Sequence, residues 1–308
     1  MFNFFKKRPF ALHINDSVLQ LMRISGNLEN PKMEIFFSKN LTPGIVVNGE
    51  IKKNEELKVL VLELVNKAKL DLKNELVVSF SEMQSYENTF YYDGFVDEES
   101  ILGFLYKKMG TIMPVAADQL KYDYIVYGLG DLKIVFMVAI KSDLARNYEK
   151  FLKTDCGLNP IAFEPEILSL LRNVNFPTTM TQGYVFISVR DNAINWYLMS
   201  KGLIFDSNTA NINKLPELIK DLQKSIANFK GKTHQDVKNI LIAGAGTEPL
   251  SSSLKDLKIQ VEAFEKYRVS TPADLQNSSV NDFNILAGAA LKKIPGIVKH
   301  FEINLFKK

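Results

Sequence analysis

The sequence predicts an α/β chain of two related halves around a cleft, with a small α+β subdomain inserted in the first half. Three observations carry this. Strand, polar turn, strand recurs at Phe10 to Arg23 and at Tyr184 to Met199, and each copy opens a half. Short apolar runs at Glu75–Phe80 and Ile240–Ala243 read as strands buried on both faces, among segments with helical periodicity. Between residues 84 and 132 the character changes, with Tyr86, Phe90, Tyr91 and Tyr92 set in a polar context.

Bulk composition narrows the class. The chain has 308 residues, 46% apolar and 24% charged, enough for about two ordinary domains with a sizeable core. A net charge of +3 gives no argument for nucleic acid. Cys156 is the only cysteine, which fits a reducing compartment, and its place at a helix end reads as a structural thiol. His13, His234 and His300 lie far apart, with no zinc spacing. No apolar run approaches the ~20 residues of a membrane helix. Phe2, Phe4 and Phe5 with Lys6, Lys7 and Arg8 could touch an anionic membrane surface, but the segment reads first as a solvated terminus.

In order along the chain, Phe10 to Ile14 and Val18 to Ile24 form a hairpin about Asn15-Asp16-Ser17. Met33 to Phe37 and Gly44 to Val47 are further short strands. Leu57, Leu60, Val61, Leu64, Val65 and Ala68 make one stripe of a helix over Asn54 to Leu70. In the insert, Asp97 caps a helix through Ile101, Leu102 and Leu105, which ends before Pro114, and Asp123 to Tyr127 is a strand. Lys133 to Ile140 reads as a buried strand of the first domain. Ser142 is expected to cap the next helix, with Leu144, Tyr148, Phe151 and Leu152 inward and Gly157 closing it. Asn159 to Phe163 is a strand, and Pro165 opens a helix through Leu171.

Pro177 to Gly183 reads as a linker. Tyr184 to Val189 and Ile194 to Met199 flank the turn Arg190-Asp191-Asn192, and Lys201-Gly202 turns into Leu203 to Phe205. Leu215, Leu218, Ile219, Leu222, Ile226 and Phe229 form the strongest helical stripe. Strand Ile240 to Ala243 runs into Gly244-Ala-Gly246, a glycine turn of the kind that brings backbone amides close to a ligand. Ala287-Gly-Ala-Ala290 marks a small-residue helix built for close packing. The domains implied are 1–83 with 133–178, the insert 84–132, a second domain 183–300 with a smaller part near 208–237, and a tail 301–308.

This layout resembles the actin-like ATPase superfamily, whose domains are ribonuclease H-like. Within it the order of motifs is similar to the PilM family of type IV pilus assembly proteins, relatives of the cell-division protein FtsA. The matching pieces are Ile112-Met-Pro114 before Asp123-Tyr124, Cys156-Gly-Leu-Asn-Pro160 with Phe163-Glu164-Pro165, Asp221-Leu-Gln-Lys-Ser-Ile226 with Phe229, Ile242-Ala-Gly-Ala-Gly246, and Leu286-Ala-Gly-Ala-Ala-Leu291.

The resemblance implies an ATP and magnesium site, and the sequence departs from it. The family's first phosphate turn, Asp-x-Gly-Ser-Ser-Ser-x-Lys, falls on His13 to Gln20, so its aspartate becomes His13, its glycine Asn15 and its lysine Gln20. Asn15, Asp16 and Ser17 would face a phosphate with a Cβ and a negative charge in the way. The second turn falls at Arg190 and Asp191, again without glycine. The adenosine side matches better, with Asp221 and Lys224 three apart on one helix face and Gly244 and Gly246 in the flanking turn. The expectation is a pseudo-ATPase scaffold with no catalytic residue and no metal ligand of its own. An active ATPase would need other side chains to replace what is missing.

The family likeness further implies a cytoplasmic protein at the inner face of the cytoplasmic membrane, held there by a PilN-like membrane protein. That partner's N-terminal peptide would dock between the first domain and the insert, where Tyr86, Phe90, Tyr91, Tyr92, Phe104 and Tyr106 are the expected wall. Glu302-Ile-Asn-Leu-Phe306 resembles the Ile-Asn-Leu-Leu-Pro start of such peptides, which implies a tail that occupies the groove of its own or a neighbouring copy. A type II secretion assembly domain is the other binding reading.

Overall fold

The computed structural model describes residues 9–27, 29–93, 97–129, 132–175, 182–190, 193–244, 248–264, 266–272, 277–294 and 302–306. The first half runs β1 (Phe10–Ile14), β2 (Val18–Gly26), β3 (Pro31–Asn40), the two-residue strands β4 (Val46–Val47) and β5 (Glu50–Ile51), α1 (Asn54–Lys67) and β6 (Glu75–Phe80). The insert follows with β7 (Ser85–Tyr92), α2 (Glu98–Ile112), β8 (Leu120–Leu129) and β9 (Leu132–Lys141). The chain returns through α3 (Ser142–Lys150), β10 (Asn159–Pro165) and α4 (Glu166–Asn173). The second half holds β11 (Gly183–Arg190), β12 (Ala193–Ser200), β13 (Leu203–Asn211), α5 (Leu215–Thr233), β14 (Val237–Gly244), α6 (Glu248–Leu254), β15 (Gln260–Ala263) and α7 (Asn277–Leu291).

The two halves share one architecture. Their five-stranded sheets are ordered β3-β2-β1-β6-β10 and β13-β12-β11-β14-β15. In each, the first three strands form an antiparallel meander and the last two add in parallel. The meander needs only short turns. Lys201 and Gly202 supply one of them, both in the left-handed region (φ 51° and 76°) as a tight hairpin demands. The parallel additions need crossovers, which α1 and α3 provide in the first half and α5 and α6 in the second. Of the predicted stripes, Leu57, Val61, Leu64 and Val65 of α1 and Leu218, Leu222 and Phe229 of α5 are buried, while Leu60, Leu215, Ile219 and Ile226 are half-buried at the margins of the core. Asp97 caps α2, accepting from the Ser100 amide at 2.9 Å. Ser142 does not cap α3: β9 runs straight into the helix, Lys141 holds the cap position, and Ser142 lies inside the first turn.

Two elements lie elsewhere than expected. The strand expected at Lys133 to Ile140 in the first sheet is β9, the middle of a separate sheet ordered β7-β9-β8. Its residues 134–140 are fully buried, because both faces are covered. Val135, Met137 and Ala139 pack with Ile101, Leu105 and Met109 of α2, and Ile134, Phe136, Val138 and Ile140 join the main core with the second half. An unbroken apolar run suits any central strand, so it does not say which sheet it completes.

Helix α7, within the second half by sequence, packs on the first sheet. Phe283, Leu286, Ala287 and Ala290 meet Ala11, Met22, Val77 and Ala162 there. It also lies along α4, where Asn173 Nδ2 donates to the Asn284 carbonyl (3.2 Å) and side-chain oxygen (3.1 Å). The expected linker lies mostly outside the described residues, as does the N-terminal Phe/Lys/Arg segment.

Candidate functional site

The first hairpin turn is closed on itself. Asn15 Oδ1 accepts from the Ser17 amide (2.9 Å), the Ser17 hydroxyl (3.0 Å) and the Val18 amide (2.8 Å), as Asx turns do. Asn15 Nδ2 donates to Asp282 of α7 at 3.1 Å. Asp16 accepts the amides of Asn48 (2.6 Å) and Gly49 (2.8 Å), so the β4–β5 turn is tied to this one. Tyr148 donates to the Gly49 carbonyl at 2.9 Å and fixes the other side. These amides and carboxylates already have partners, so the first turn does not fit a magnesium–triphosphate group.

Beneath the turn a polar row crosses the first sheet. Cross-strand register sets Ser38, Gln20, His13, Ser79 and Glu164 side by side. His13, where the family resemblance calls for aspartate, is fully buried. It meets Glu166 Oε1 at 2.7 Å through Nε2 and Gln20 Oε1 at 3.4 Å through Nδ1. Glu164 takes Ser169 (2.6 Å), both terminal nitrogens of Arg172 (2.6 and 2.9 Å) and Lys292. Burial alone would raise the Glu164 carboxyl, but the Arg172 and Lys292 charges outweigh it and hold it below the usual range. Burial pulls Lys292 down to about 8 against the attraction of Glu164. Arg172 also donates to the Gly288 carbonyl at 2.9 Å, which ties α4 to α7.

The remaining residues of the expected nucleotide site are spread over the second half. Arg190 ends β11 in register with Ala193, and Gly244 ends β14 opposite Val189. Asp191 and Gly246 lie outside the described residues. Asp221 is exposed on α5 and accepts from Asn208 of β13 at 3.2 Å, and Lys224 is exposed beside it. Among the described residues no group of histidine, cysteine and carboxylate side chains could hold a metal ion. Cys156 is buried, and that burial pushes its thiol up to about 12.

The six aromatic residues do not form one wall. Successive residues of a strand face opposite sides. Tyr86, Phe90 and Tyr92 face α2, where Phe104 packs edge-on to Phe90 (centroids 5.8 Å apart) and Tyr92 (5.0 Å) as core. Tyr91 faces the second half, with Lys232 Nζ 3.3 Å from its ring centroid. On the same face Tyr197 donates to Glu87 at 3.0 Å, and Tyr127 donates to the Ile204 carbonyl at 3.4 Å. Tyr106 alone is well exposed, 60%, at a shallow groove of about 660 Å³ with Glu98, Glu99, Leu102 and Tyr122.

The slot between the first domain and the insert is elsewhere, along the free edge of β10, and residues 302–306 fill it. Leu305 donates its amide to the Phe163 carbonyl at 2.9 Å. Asn304 Oδ1 accepts the Phe163 amide (3.1 Å) while its Nδ2 donates to the Ile161 carbonyl (2.9 Å). The Asn304 amide donates to Asp123 of β8 at 2.8 Å, and Lys292 donates to the Ile303 carbonyl at 2.7 Å. Ile303 and Leu305 are fully buried, and Phe306 stacks on Phe163 with centroids 4.8 Å apart. Of these contacts, sequence reading supplies the resemblance of the segment. It misses Ile161, Phe163 and Asp123 as the walls, although two of them stand in motifs that match the family.

Comparison with solved structures shows the fold. A PilM–PilN type IV pilus biogenesis complex superposes with a TM-score of 0.72 at 14% identity, covering 93% of this chain and 98% of that one. The cytoplasmic domain of EpsL, an inner-membrane component of the Vibrio cholerae type II secretion system, gives 0.55 at 10% identity, covering 97% and 98%. No family model and no curated protein matches the sequence. The fold is the duplicated actin-like one with an insert in its first half. Among the described residues no helix is long and apolar enough to cross a membrane.

Proposed function

We propose that this chain is a scaffold of a type IV pilus inner-membrane assembly complex. It sits at the cytoplasmic face of that membrane and receives the N-terminal peptide of a PilN-like membrane protein. The observation that carries the reading is the slot along β10, which accepts an extended Ile-Asn-Leu segment through backbone and Asn304 hydrogen bonds. The likeness to a PilM–PilN complex supports the same partner class. The likeness to EpsL supports a second reading, the equivalent role in type II secretion, in which the peptide comes from a secretion partner. Pull-down with PilN-like and secretion-type N-terminal peptides, at concentrations high enough to displace residues 302–306, separates the two, and capture of neither overturns both.

We further infer that the scaffold works without an ATP cycle. The support is the first turn, where Asp16 and Asn15 take the local amides and His13 is paired with Glu166. Calorimetry with ATP and magnesium is expected to give weak or absent binding. Micromolar binding with turnover would restore the active-ATPase reading.

A further inference from the structure

The slot described above is not simply lined by suitable groups. It is filled, and the filling segment carries a readable pattern. Asn304 stands in for a peptide group: its side-chain oxygen takes the Phe163 amide and its side-chain nitrogen gives to the Ile161 carbonyl. Only an amide side chain offers a donor and an acceptor at once in that geometry. An aspartate of the same shape has no donor for Ile161, and would set a second carboxylate near Asp123. The residues on either side, Ile303 and Leu305, are fully buried, and Phe306 covers Phe163. The slot therefore reads apolar, asparagine, apolar, aromatic.

We infer that residues 302–306 are an internal ligand that keeps this slot closed, and that the slot opens to an Ile-Asn-Leu-aromatic peptide from another chain only when they leave. This rests on the docking function proposed above and adds its regulation. The tether from α7 to Ile303 is short, so the segment competes at an effective concentration on the order of millimolar. If the segment's intrinsic dissociation constant is about 10 μM, a peptide of equal intrinsic affinity binds the intact chain on the order of 10²-fold more weakly than the opened chain.

The test uses the full chain with a specific protease site placed within 295–300, cut after folding. The probe is a fluorescent peptide of residues 301–308, read by anisotropy. The cut protein is expected to bind it saturably, about 10²-fold more tightly than uncut protein does, and an Asn304→Asp version of the peptide is expected to fail. Should cutting unfold the chain, the intact Asn304→Asp protein replaces it and is expected to bind the unaltered peptide more tightly than wild type. Equal binding to closed and opened protein overturns the inference. So does no binding by folded, opened protein, or equal binding of the aspartate peptide. If the chain's own peptide enters and a PilN-like peptide does not, the functional reading falls and this inference stands. If a PilN-like peptide binds cut and uncut protein equally, the reverse holds.

Discussion

Gly288 of α7 lies against the backbone of Ser169 in α4, so close that a Cβ on it would come within 1.6 Å of the Ser169 carbonyl oxygen. The obstacle is backbone on both sides, and no rotamer change relieves it. Gly288→Ala is expected to cost at least ~3 kcal/mol, read as a lower urea midpoint, because the two helices must separate. An unchanged midpoint would show that the helices are not seated this closely.

The same crossing holds the Glu164, Arg172 and Lys292 cluster. Arg172→Met is expected to cost about 3–5 kcal/mol, since it leaves a buried carboxylate short of a partner. Replacing all three by apolar residues of similar volume is expected to recover most of that loss. Thermal unfolding of the single and triple variants checks both statements.

Glu87 gives a pH dependence. Part of its surface is exposed, but its carboxyl group is enclosed between the insert and the second half. Burial raises it to about 7, against the hydrogen bonds from Tyr197 and Ser85. The folded chain therefore keeps a proton that the unfolded chain releases at about 4.5. Its contribution is complete below pH 4.5 and is lost as pH rises through 7, by about 1–3 kcal/mol. Glu87→Gln is expected to flatten this loss in melting curves taken between pH 5 and 8.

Asp16→Ala removes the acceptor for two amides at the Asn48–Gly49 turn. A cost of about 1–2 kcal/mol is expected, with faster hydrogen exchange at those two amides. Improved ATP binding by this variant would mark Asp16 as a barrier to phosphate rather than a tie between turns.

Elements whose periodicity is set by one buried face were legible in the sequence. The stripes of α1 and α5, the paired hairpins and the Asp97 cap follow from local spacing. Placement depending on distant partners was not. Strand β9 is apolar on both faces and carries no mark of its sheet. Asp16 binds amides some thirty residues away, and nothing near it announces that. The small residues of α7 foretold a close neighbour but not that the neighbour was α4. Tyr91 and Tyr92 adjoin in sequence, yet strand alternation sends one to the second half and the other to the insert. The slot was half legible: its occupant resembles a peptide motif, while its walls come from two separate strands.

One ammonium, that of Lys292, serves both the carbonyl of Ile303 and the carboxylate of Glu164. Vacating the slot leaves that buried cation short of an acceptor at the very joint where the last helix grips the opposite half. Any segment that replaces residues 302–306 must therefore hand Lys292 a carbonyl where Ile303 does now, beside the contacts that seat α7 on α4.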